Sequence, residues 1–287
     1  MEYENPYSNA KQFWSAVKTK FELDTQRTAP VKPFVTLTFA QSLDAKISSA
    51  NKQQILLSCK ESMVLTHHLR TVHDAILVGV GTVLTDDPRL NGKRIVTYFL
   101  LADIVGRYMI RFVEPSEYET AHNPTPVILD TNLRIPENAR IIHYHKQDSR
   151  CKPPIIVCSP TAYNSSSSKK STLESYGAKV ITVDEADCDV SGRPTIGAIL
   201  VALGGQGVRS IMVEGGSQII GSFLKEQATS TNSTIDLMIV TVSPKIIGSL
   251  GTGPTDSIVL DGSPPAIELK DQMYKQFGCD FVVASLL

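Results

Sequence analysis

The chain has 287 residues, of which 42% are hydrophobic and 20% are charged, with a formal net charge of −1. This composition is typical of a folded domain, and the length is close to the upper limit for one domain. The near-neutral charge gives no indication of nucleic acid or an anionic membrane as a partner. No apolar run approaches the roughly 18 residues that span a bilayer, and the polar start lacks a signal-peptide pattern. We therefore expect a cytoplasmic protein.

The cysteines are isolated and odd in number, and no two of them form a C-x-x-C pair. They are Cys59, Cys151, Cys158, Cys188 and Cys279. Scattered cysteines of this kind are typical of reduced thiols in a cytosolic protein. We expect no zinc site or other metal site.

The first predicted elements follow a polar N-terminal extension, residues 1–33, which contains a short helix near residues 10–21. "FVTLTFA" (34–40) is rich in β-branched and aromatic residues and predicts a strand. "CKESMVLTHHLR" (59–70) has apolar residues at helical spacing. "DAILVGV" (74–80) is a nearly continuous apolar run, as expected of a strand that is covered on both faces.

The same alternation of strands and helices continues to the end of the chain. Later strands are predicted at 125–130, 153–159, 178–183, 210–213, 235–242 and 279–287, and helices at 195–203 and 217–227. Such alternation predicts an α/β domain with a largely parallel sheet. Little helix separates the last strands, so antiparallel edge strands are expected there.

Two segments interrupt this pattern. Residues 92–123 form a long insertion, and "YNSSSSKKST" (163–172) has the low complexity of a flexible surface loop. No internal repeat is present, so both segments are predicted to be additions to one domain over residues 34–287.

The stretch "SIMVEGGSQIIGSFL" (210–224) has a carboxylate and two glycines between a strand and a helix. In an open α/β sheet, ligands bind at the carboxyl ends of the strands, where helix N-termini present free amides. Gly215 and Gly216 would allow a phosphate to approach the backbone, and Ser217 could cap the helix. Alternatively, the glycines only form the turn between strand and helix.

A second glycine turn occurs in "DAILVGVGTVLTDDPRL" (74–90). It does not match a dinucleotide fingerprint, because Leu84 stands where the third glycine should be. A Rossmann domain is therefore disfavoured. Thr82 could bind a ligand through its hydroxyl, while Asp86 and Asp87 are equally well explained as turn residues.

Polar residues also follow the first strand, in "AQSLDAKI" (40–47). If this segment stays extended, Ser42, Asp44 and Lys46 share one face at the carboxyl end of the strand. A purely structural Asp–Lys pair is the alternative.

Four segments in this order closely resemble the riboflavin-biosynthesis reductases: "FVTLTFAQSLDAKIS", "HHLRTVHDAILVGVGTVLTDDPRLN", "NPTPVILDTNLRIP" and "SIMVEGGSQIIGSFL". This family comprises the C-terminal domain of bacterial RibD and the stand-alone fungal and archaeal 2,5-diamino-6-ribosylamino-4(3H)-pyrimidinone 5′-phosphate reductase. The resemblance covers about residues 30–287. The stand-alone enzyme is the better match, because the H-x-E and P-C-x-x-C deaminase signature is missing.

The resemblance implies a dihydrofolate-reductase-like α/β fold, with a mixed, mostly parallel sheet flanked by helices, and a homodimer. It implies an oxidoreductase that uses NADPH, with NADH as a weaker alternative. The substrate would be a small phosphorylated pyrimidine riboside, whose ribosyl side chain is reduced to ribityl. Hydride would go to C1′ of the open-chain imine, and a proton to the ring oxygen.

The resemblance also implies the residues that contact the cofactor. They are Ala40, Thr82, Asp86, Thr131, Arg134, Pro194, Gly215, Gly216, Ser217, Gln218, Ile219 and Ile220. Arg134 would bind the 2′-phosphate, because a charge-assisted arginine–phosphate bond favours NADPH over NADH.

On the substrate side, a cation is needed for the 5′-phosphate. The implied substrate-binding residues are Arg70, Leu90, Lys93 and Glu214. Glu214 could accept ribose hydroxyls or relay a proton. Lys46, oriented by Asp44, is the second candidate for protonating the leaving oxygen, so the catalytic candidates are Glu214, Lys46 and Asp44.

The chain departs from the family pattern at a few positions, of which Ala45, where glycine is common, adjoins the candidate site. Two other functions stay open. One is reduction of another heterocycle, such as a pterin, and the other is a nucleotide-binding or scaffolding module without activity. Arg70, Glu214 and the lack of an obvious apolar pteridine slot speak against the pterin. Lys46, Asp86 and Glu214 speak against the binding module, because a pure binder does not need all three.

Overall fold

A computed structural model describes residues 5–25, 32–49, 55–88, 90, 97–98, 109–110, 122–230, 233–256 and 267–287. The strands are β1 (Phe34–Ser42), β2 (Ala75–Gly79), β3 (Thr97–Tyr98), β4 (Met109–Ile110), β5 (Thr125–Leu129), β6 (Ile155–Val157), β7 (Lys179–Ile181), β8 (Ser210–Glu214), β9 (Leu237–Ser243), β10 (Lys270–Phe277) and β11 (Asp280–Leu286). The helices are α1 (Pro6–Lys20), α2 (Lys60–Val72), α3 (Val80–Asp86), α4 (Arg140–Gln147), α5 (Pro160–Ser165), α6 (Ser167–Ser175), α7 (Ile196–Gly205) and α8 (Ser217–Thr229).

Nine strands form one sheet in the order β10-β11-β9-β1-β8-β2-β5-β6-β7. β1, β8, β2, β5, β6, β7 and β9 run parallel, and β11 joins β9 antiparallel with β10 outside it. The prediction of a mixed, mostly parallel sheet flanked by helices is confirmed, including its antiparallel edge. None of the helices among the described residues is long and apolar enough to cross a bilayer.

The continuous apolar runs of the central strands are explained by burial on both faces. In β2, Ala75 and Leu77 pack on the side of α7 and α8, whereas Ile76 and Val78 pack on the side of α3 and α4. Side chains of a strand alternate between faces, so both sets must be apolar when helices cover both sides.

The register at the centre of the sheet is held by Asp74. Its carboxylate accepts hydrogen bonds from the amides of Arg209 (3.0 Å) and Ser210 (3.1 Å), and its own amide donates to the Ser210 hydroxyl (3.0 Å). These bonds align the starts of β2 and β8. The carboxyl ends of β1, β8 and β2 consequently lie side by side.

The N-terminal segment is not merely a polar extension. α1 begins at an Asn5 cap and buries Phe13, Trp14 and Val17 against α2 and the sheet. The ring of Phe13 lies 5.5 Å from that of Phe277 in an edge-on arrangement. The apolar residues of α1 are interspersed with polar residues in the sequence, and on the folded helix they form one face that belongs to the core.

The prediction of a flexible loop at 163–172 is wrong, because α5 and α6 cover this segment. The Ser159 hydroxyl accepts a hydrogen bond from the Ala162 amide and caps α5. Leu173 is fully buried, and the Lys170 ammonium lies 3.7 Å from the ring centre of Tyr163. A cap and one buried anchor are sufficient to order a serine-rich sequence.

Most of the insertion at 92–123, including Lys93, lies outside the described residues. Within it, β3 and β4 form an antiparallel pair that is separate from the main sheet.

Candidate active site

The candidate site lies at the carboxyl edge of the three central strands. Thr38 of β1 pairs with Glu214 of β8, and Leu77 of β2 pairs with Val213. Ala40 lies two residues beyond Thr38 on β1. The edge therefore brings together three segments that are distant in the sequence.

Arg70 and Glu214 form a bidentate ion pair at this edge. Arg70 Nε donates to Glu214 Oε1 at 2.7 Å, and Nη2 donates to Oε2 at 2.6 Å. Only 12% of the Arg70 side chain and 20% of the Glu214 side chain are exposed. A parallel fork of this type fixes the orientation of both groups, and partial burial strengthens it relative to a surface pair. The two predicted substrate residues are thus in contact with each other.

The glycine turn after Glu214 provides an open helix N-terminus. α8 begins at Ser217, with Gly216 as its N-cap. Gly216 is exposed, and no atom lies within 4 Å of the position that a Cβ would occupy. The first amides of a helix lack intrahelical acceptors and carry a partial positive charge, so this turn can accept an anionic group.

The two glycines have different roles, because Gly215 is needed for packing. A Cβ on Gly215 would lie 2.6 Å from Cβ of Ile219, and a Cβ on Gly79 would lie 2.9 Å from its Cγ1. Ile219 therefore fits between the ends of β8 and β2 and sets the position of α8. Its side chain is partly buried and packs against the core.

The segment after β1 is a closed turn, so the extended conformation on which a shared face of Ser42, Asp44 and Lys46 depended does not occur. The Ser42 amide donates to the Lys46 carbonyl at 2.8 Å, and the Lys46 amide donates to the Ser42 hydroxyl at 2.9 Å. Ala45 has a φ of +57°, a left-handed conformation that favours glycine. Asp44 and Lys46 consequently do not share a face.

Asp44 does not orient Lys46 as predicted. Its carboxylate accepts hydrogen bonds from the Ser42 hydroxyl (2.5 Å) and from the amides of Gly248 (2.7 Å) and Ile247 (3.1 Å). These bonds, the Ser42 hydroxyl foremost, lower the pKa of Asp44 to about 2. Among the described residues the Lys46 ammonium has no ion-pair partner. Asp44 is thus a structural residue that joins two loops.

His73, at the C-terminal end of α2, is not suited to donate a proton. Its Nδ1 donates to the Leu69 carbonyl at 2.7 Å, and its Nε2 accepts from the Thr36 hydroxyl at 2.8 Å. Complete burial lowers the pKa of His73 to about 4. The imidazole is therefore neutral near pH 7 and connects α2 to β1.

A family model for the RibD C-terminal domain matches residues 33–283. The chain belongs to the RibD C-terminal domain family. It is 30% identical over 256 residues to the 2,5-diamino-6-ribosylamino-4(3H)-pyrimidinone 5′-phosphate reductase of Candida glabrata, covering 89% of this chain and 90% of that one. The reductase of the same name from Archaeoglobus fulgidus is 28% identical over 255 residues, with 89% and 98% coverage.

A solved structure of the riboflavin-biosynthesis reductase of Saccharomyces cerevisiae superposes with a TM-score of 0.67 at 26% identity, covering 97% of this chain and 99% of that one. RibD of Acinetobacter baumannii shares the fold at 20% identity, with a TM-score of 0.63 over 89% of this chain and 58% of the other. The predicted resemblance to the riboflavin reductases is therefore confirmed.

Two cofactor residues that the resemblance to the RibD family implies lie on α3, the helix that follows Gly79. Thr82 is in the first turn of α3 and is partly exposed, and Asp86 is exposed one turn later. Residues four apart share a helix face. The neighbouring Asp87 has a different task, since its carboxylate accepts the Arg140 amide at the start of α4 (2.8 Å).

Two further predicted positions follow β5. Thr131 uses its carbonyl to accept the amide and the hydroxyl of Ser159, while Arg134 is exposed. Asp130, which we had not singled out, shapes this loop: its fully buried Oδ2 accepts the Ile135 amide at 2.7 Å. Its Oδ1 has no hydrogen-bond partner among the described residues.

The structure does not bring all the predicted residues to the glycine turn. The Leu90 side chain is buried in the core with Ile128, away from the glycine turn after Glu214. Pro194 pairs with Cys188 ahead of α7, and nearby Gly197 contacts Glu226, which is in the later turns of α8. Lys93 lies outside the described residues.

The glycine pair can be tested by stability measurements. Gly215→Ala should lower the free energy of unfolding by about 1–3 kcal/mol, because the new methyl collides with Ile219. Gly216→Ala should change it by less than about 0.5 kcal/mol, because its methyl meets no atom. Urea unfolding measures both, and equal losses would contradict the assignment of Gly215 as the packing residue.

Asp44 should give the stability a defined pH dependence. Its folded pKa, about 2, is below its ordinary 3.8, so its contribution is complete above pH 3.8 and is lost as the pH falls towards 2. Asp44→Asn should therefore be less stable than the wild-type protein at pH 7, with a smaller difference at pH 3. Urea midpoints at both pH values measure this, and a difference independent of pH would contradict it.

Proposed function

We propose that the protein reduces the ribosyl side chain of 2,5-diamino-6-ribosylamino-4(3H)-pyrimidinone 5′-phosphate to ribityl in riboflavin biosynthesis, with NADPH as reductant. The observation that carries this proposal is the Arg70–Glu214 pair beside an open helix N-terminus, in a chain of the RibD C-terminal domain family. When bound, NADPH supplies the hydride. The protein supplies binding, orientation and charge complementarity.

The open turn at Gly216 fits a dinucleotide diphosphate. Its amides are at a helix N-terminus and its surroundings are free of side chains, which is what an anionic group bound through the backbone requires. Thr82 and Asp86 would add polar contacts next to it. Arg134 is exposed on the loop after β5 and would bind the 2′-phosphate.

We assign Glu214 to the substrate and Arg70 to the positioning of Glu214. Both guanidinium nitrogens that point at the carboxylate are within 2.7 Å of it, so Arg70 holds Glu214 in one orientation at the sheet edge. Glu214 can then accept ribose hydroxyls or relay a proton. Lys46, whose ammonium is not paired with Asp44, remains the candidate for protonating the ring oxygen.

We also propose that the protein is a cytoplasmic homodimer. Four strongly exposed apolar side chains occur on adjoining segments, where a contiguous apolar surface would favour a contact between subunits. They are Leu43, Leu56, Ile246 and Leu250. The Lys245 carbonyl accepts the Leu43 amide and its ammonium donates to the Leu57 carbonyl, which links these segments.

Turnover tests the proposed reaction and the role of Glu214. The wild-type protein should consume NADPH when the pyrimidinone ribotide is added, and Glu214→Gln should lower kcat about 100-fold or more, with little change in NADPH affinity. Glu174→Gln, at an exposed position on α6, is the matched control and should keep full activity. Absence of wild-type turnover with both NADPH and NADH would refute the reaction. An equal loss of NADPH binding would make Glu214 a cofactor residue.

Arg134 should determine the choice of cofactor. Arg134→Ala should weaken NADPH binding about tenfold or more and leave NADH binding nearly unchanged, because only NADPH carries the 2′-phosphate. Dissociation constants from fluorescence titration of both dinucleotides measure this. An unchanged NADPH-to-NADH ratio would remove Arg134 from the cofactor site.

A further inference from the structure

Two cysteines that are far apart in the sequence meet on the side of the fold where α2 begins. Cys59 is the N-cap residue of α2, and Cys279 lies in the turn between β10 and β11. Asp280 follows as the first residue of β11, 221 residues beyond Cys59. One ligand atom from each of these three residues lies within 4.8 Å of the other two.

The Asp280 carboxylate is fully buried and its two oxygens have different partners. Oδ2 accepts hydrogen bonds from the Cys59 amide at 2.7 Å and from the Ser62 hydroxyl at 2.5 Å. Oδ1 accepts a hydrogen bond from the Cys279 thiol at 3.6 Å, and the Cys59 thiol donates to the Phe277 carbonyl at 3.0 Å, so a cation would replace both thiol protons. The protein thus fixes one oxygen and directs the other towards the thiols, as carboxylates that ligate metals are commonly held.

The distance between Cys279 and Asp280 matches one edge of a tetrahedral zinc site, and Cys59 Sγ lies within 4.8 Å of both atoms. Zinc–sulfur bonds of about 2.3 Å and zinc–oxygen bonds of about 2.0–2.2 Å place sulfur and oxygen ligands about 3.5 Å apart. The Cys279 Sγ–Asp280 Oδ1 distance of 3.6 Å agrees with this separation. Two sulfurs and one oxygen also form a donor set that favours a thiophilic divalent cation over magnesium or calcium.

Glu61 lies next to the three residues, beside the hairpin glycine. A Cβ on Gly278 would collide with the Glu61 carboxylate and lie 2.9 Å from Cys59 Sγ, so both groups lie over this glycine. Gly278 has a φ of +58°, as the hairpin turn requires. A water molecule would complete the coordination of a bound cation.

We propose that Cys59, Cys279 and Asp280 bind a thiophilic divalent cation, best matched by Zn²⁺. The cation joins the first turn of α2 to the β10–β11 hairpin and stabilises the folded chain. Cys59 is about 16 Å along α2 from Arg70, so the cation site is separate from the candidate active site. Cysteine spacing in the sequence gave no sign of it, because the ligands come from opposite ends of the chain.

The test uses the full-length protein, reduced and freed of metal by a chelator. Titration with Co²⁺ should give one equivalent per chain, with thiolate charge-transfer and tetrahedral d–d absorption that Zn²⁺ then displaces. At a free Zn²⁺ concentration one hundred times Kd, Tm should rise by roughly 5 °C. Cys279→Ser should abolish both effects. Because Cys279 is exposed, the Tm of the metal-free Cys279→Ser variant should stay near that of the metal-free wild-type protein.

Cys188→Ser is the matched control, since Cys188 is partly exposed and lies outside the cluster, and it should retain the Co²⁺ spectrum and the Zn²⁺ response. Cys59→Ser provides a second variant on the other side of the site. Absence of a stoichiometric Co²⁺ spectrum from the wild-type protein would overturn the proposal. An undiminished spectrum in both Cys279→Ser and Cys59→Ser would overturn it as well.

Discussion

The ion pair between Arg70 and Glu214 joins the sheet edge to the helix that covers it, and the candidate site is arranged around this contact. Glu214 ends β8 between β1 and β2, and Arg70 reaches it from the later turns of α2. The pair is mostly buried, so neither charge could stay in place without the other. The open turn at Gly216 follows directly, so an exposed helix N-terminus lies next to a carboxylate of fixed orientation.

The sequence predicted the parts of the fold in which burial dominates. The apolar runs at 34–40 and 74–80 became β1 and β2 with shifts of one or two residues, because strands covered on both faces must be apolar throughout. The polar edge strand β10, with the sequence "KDQMYKQF", was missed, since one of its faces is exposed and its composition resembles a loop. The serine-rich helices α5 and α6 were missed for the same reason.

The sequence predicted which residues belong to the candidate site, but it did not predict which of them contact each other. The carboxyl end of a strand followed by glycines is a local pattern, and it identified Glu214 and Gly216. The partner of Glu214 is 144 residues away, and no local pattern reports such a distance. The sequence did not predict the turn at Ala45, because alternation of polar residues applies only to an extended chain, whereas hydrogen bonds between Ser42 and Lys46 close this segment.

Ile219 packs against the bare backbone of two strand ends, at Gly79 and Gly215. Its side chain fills the space that two Cβ atoms would otherwise need, so the three positions form one steric unit. A lineage that replaced Gly79 by a larger residue would need a smaller side chain at 219, whereas a larger residue at 215 would have to shift the start of α8, because it meets Cβ of Ile219 itself. Substitutions at 79 and 219 are therefore coupled, even though 140 residues separate these positions in the sequence.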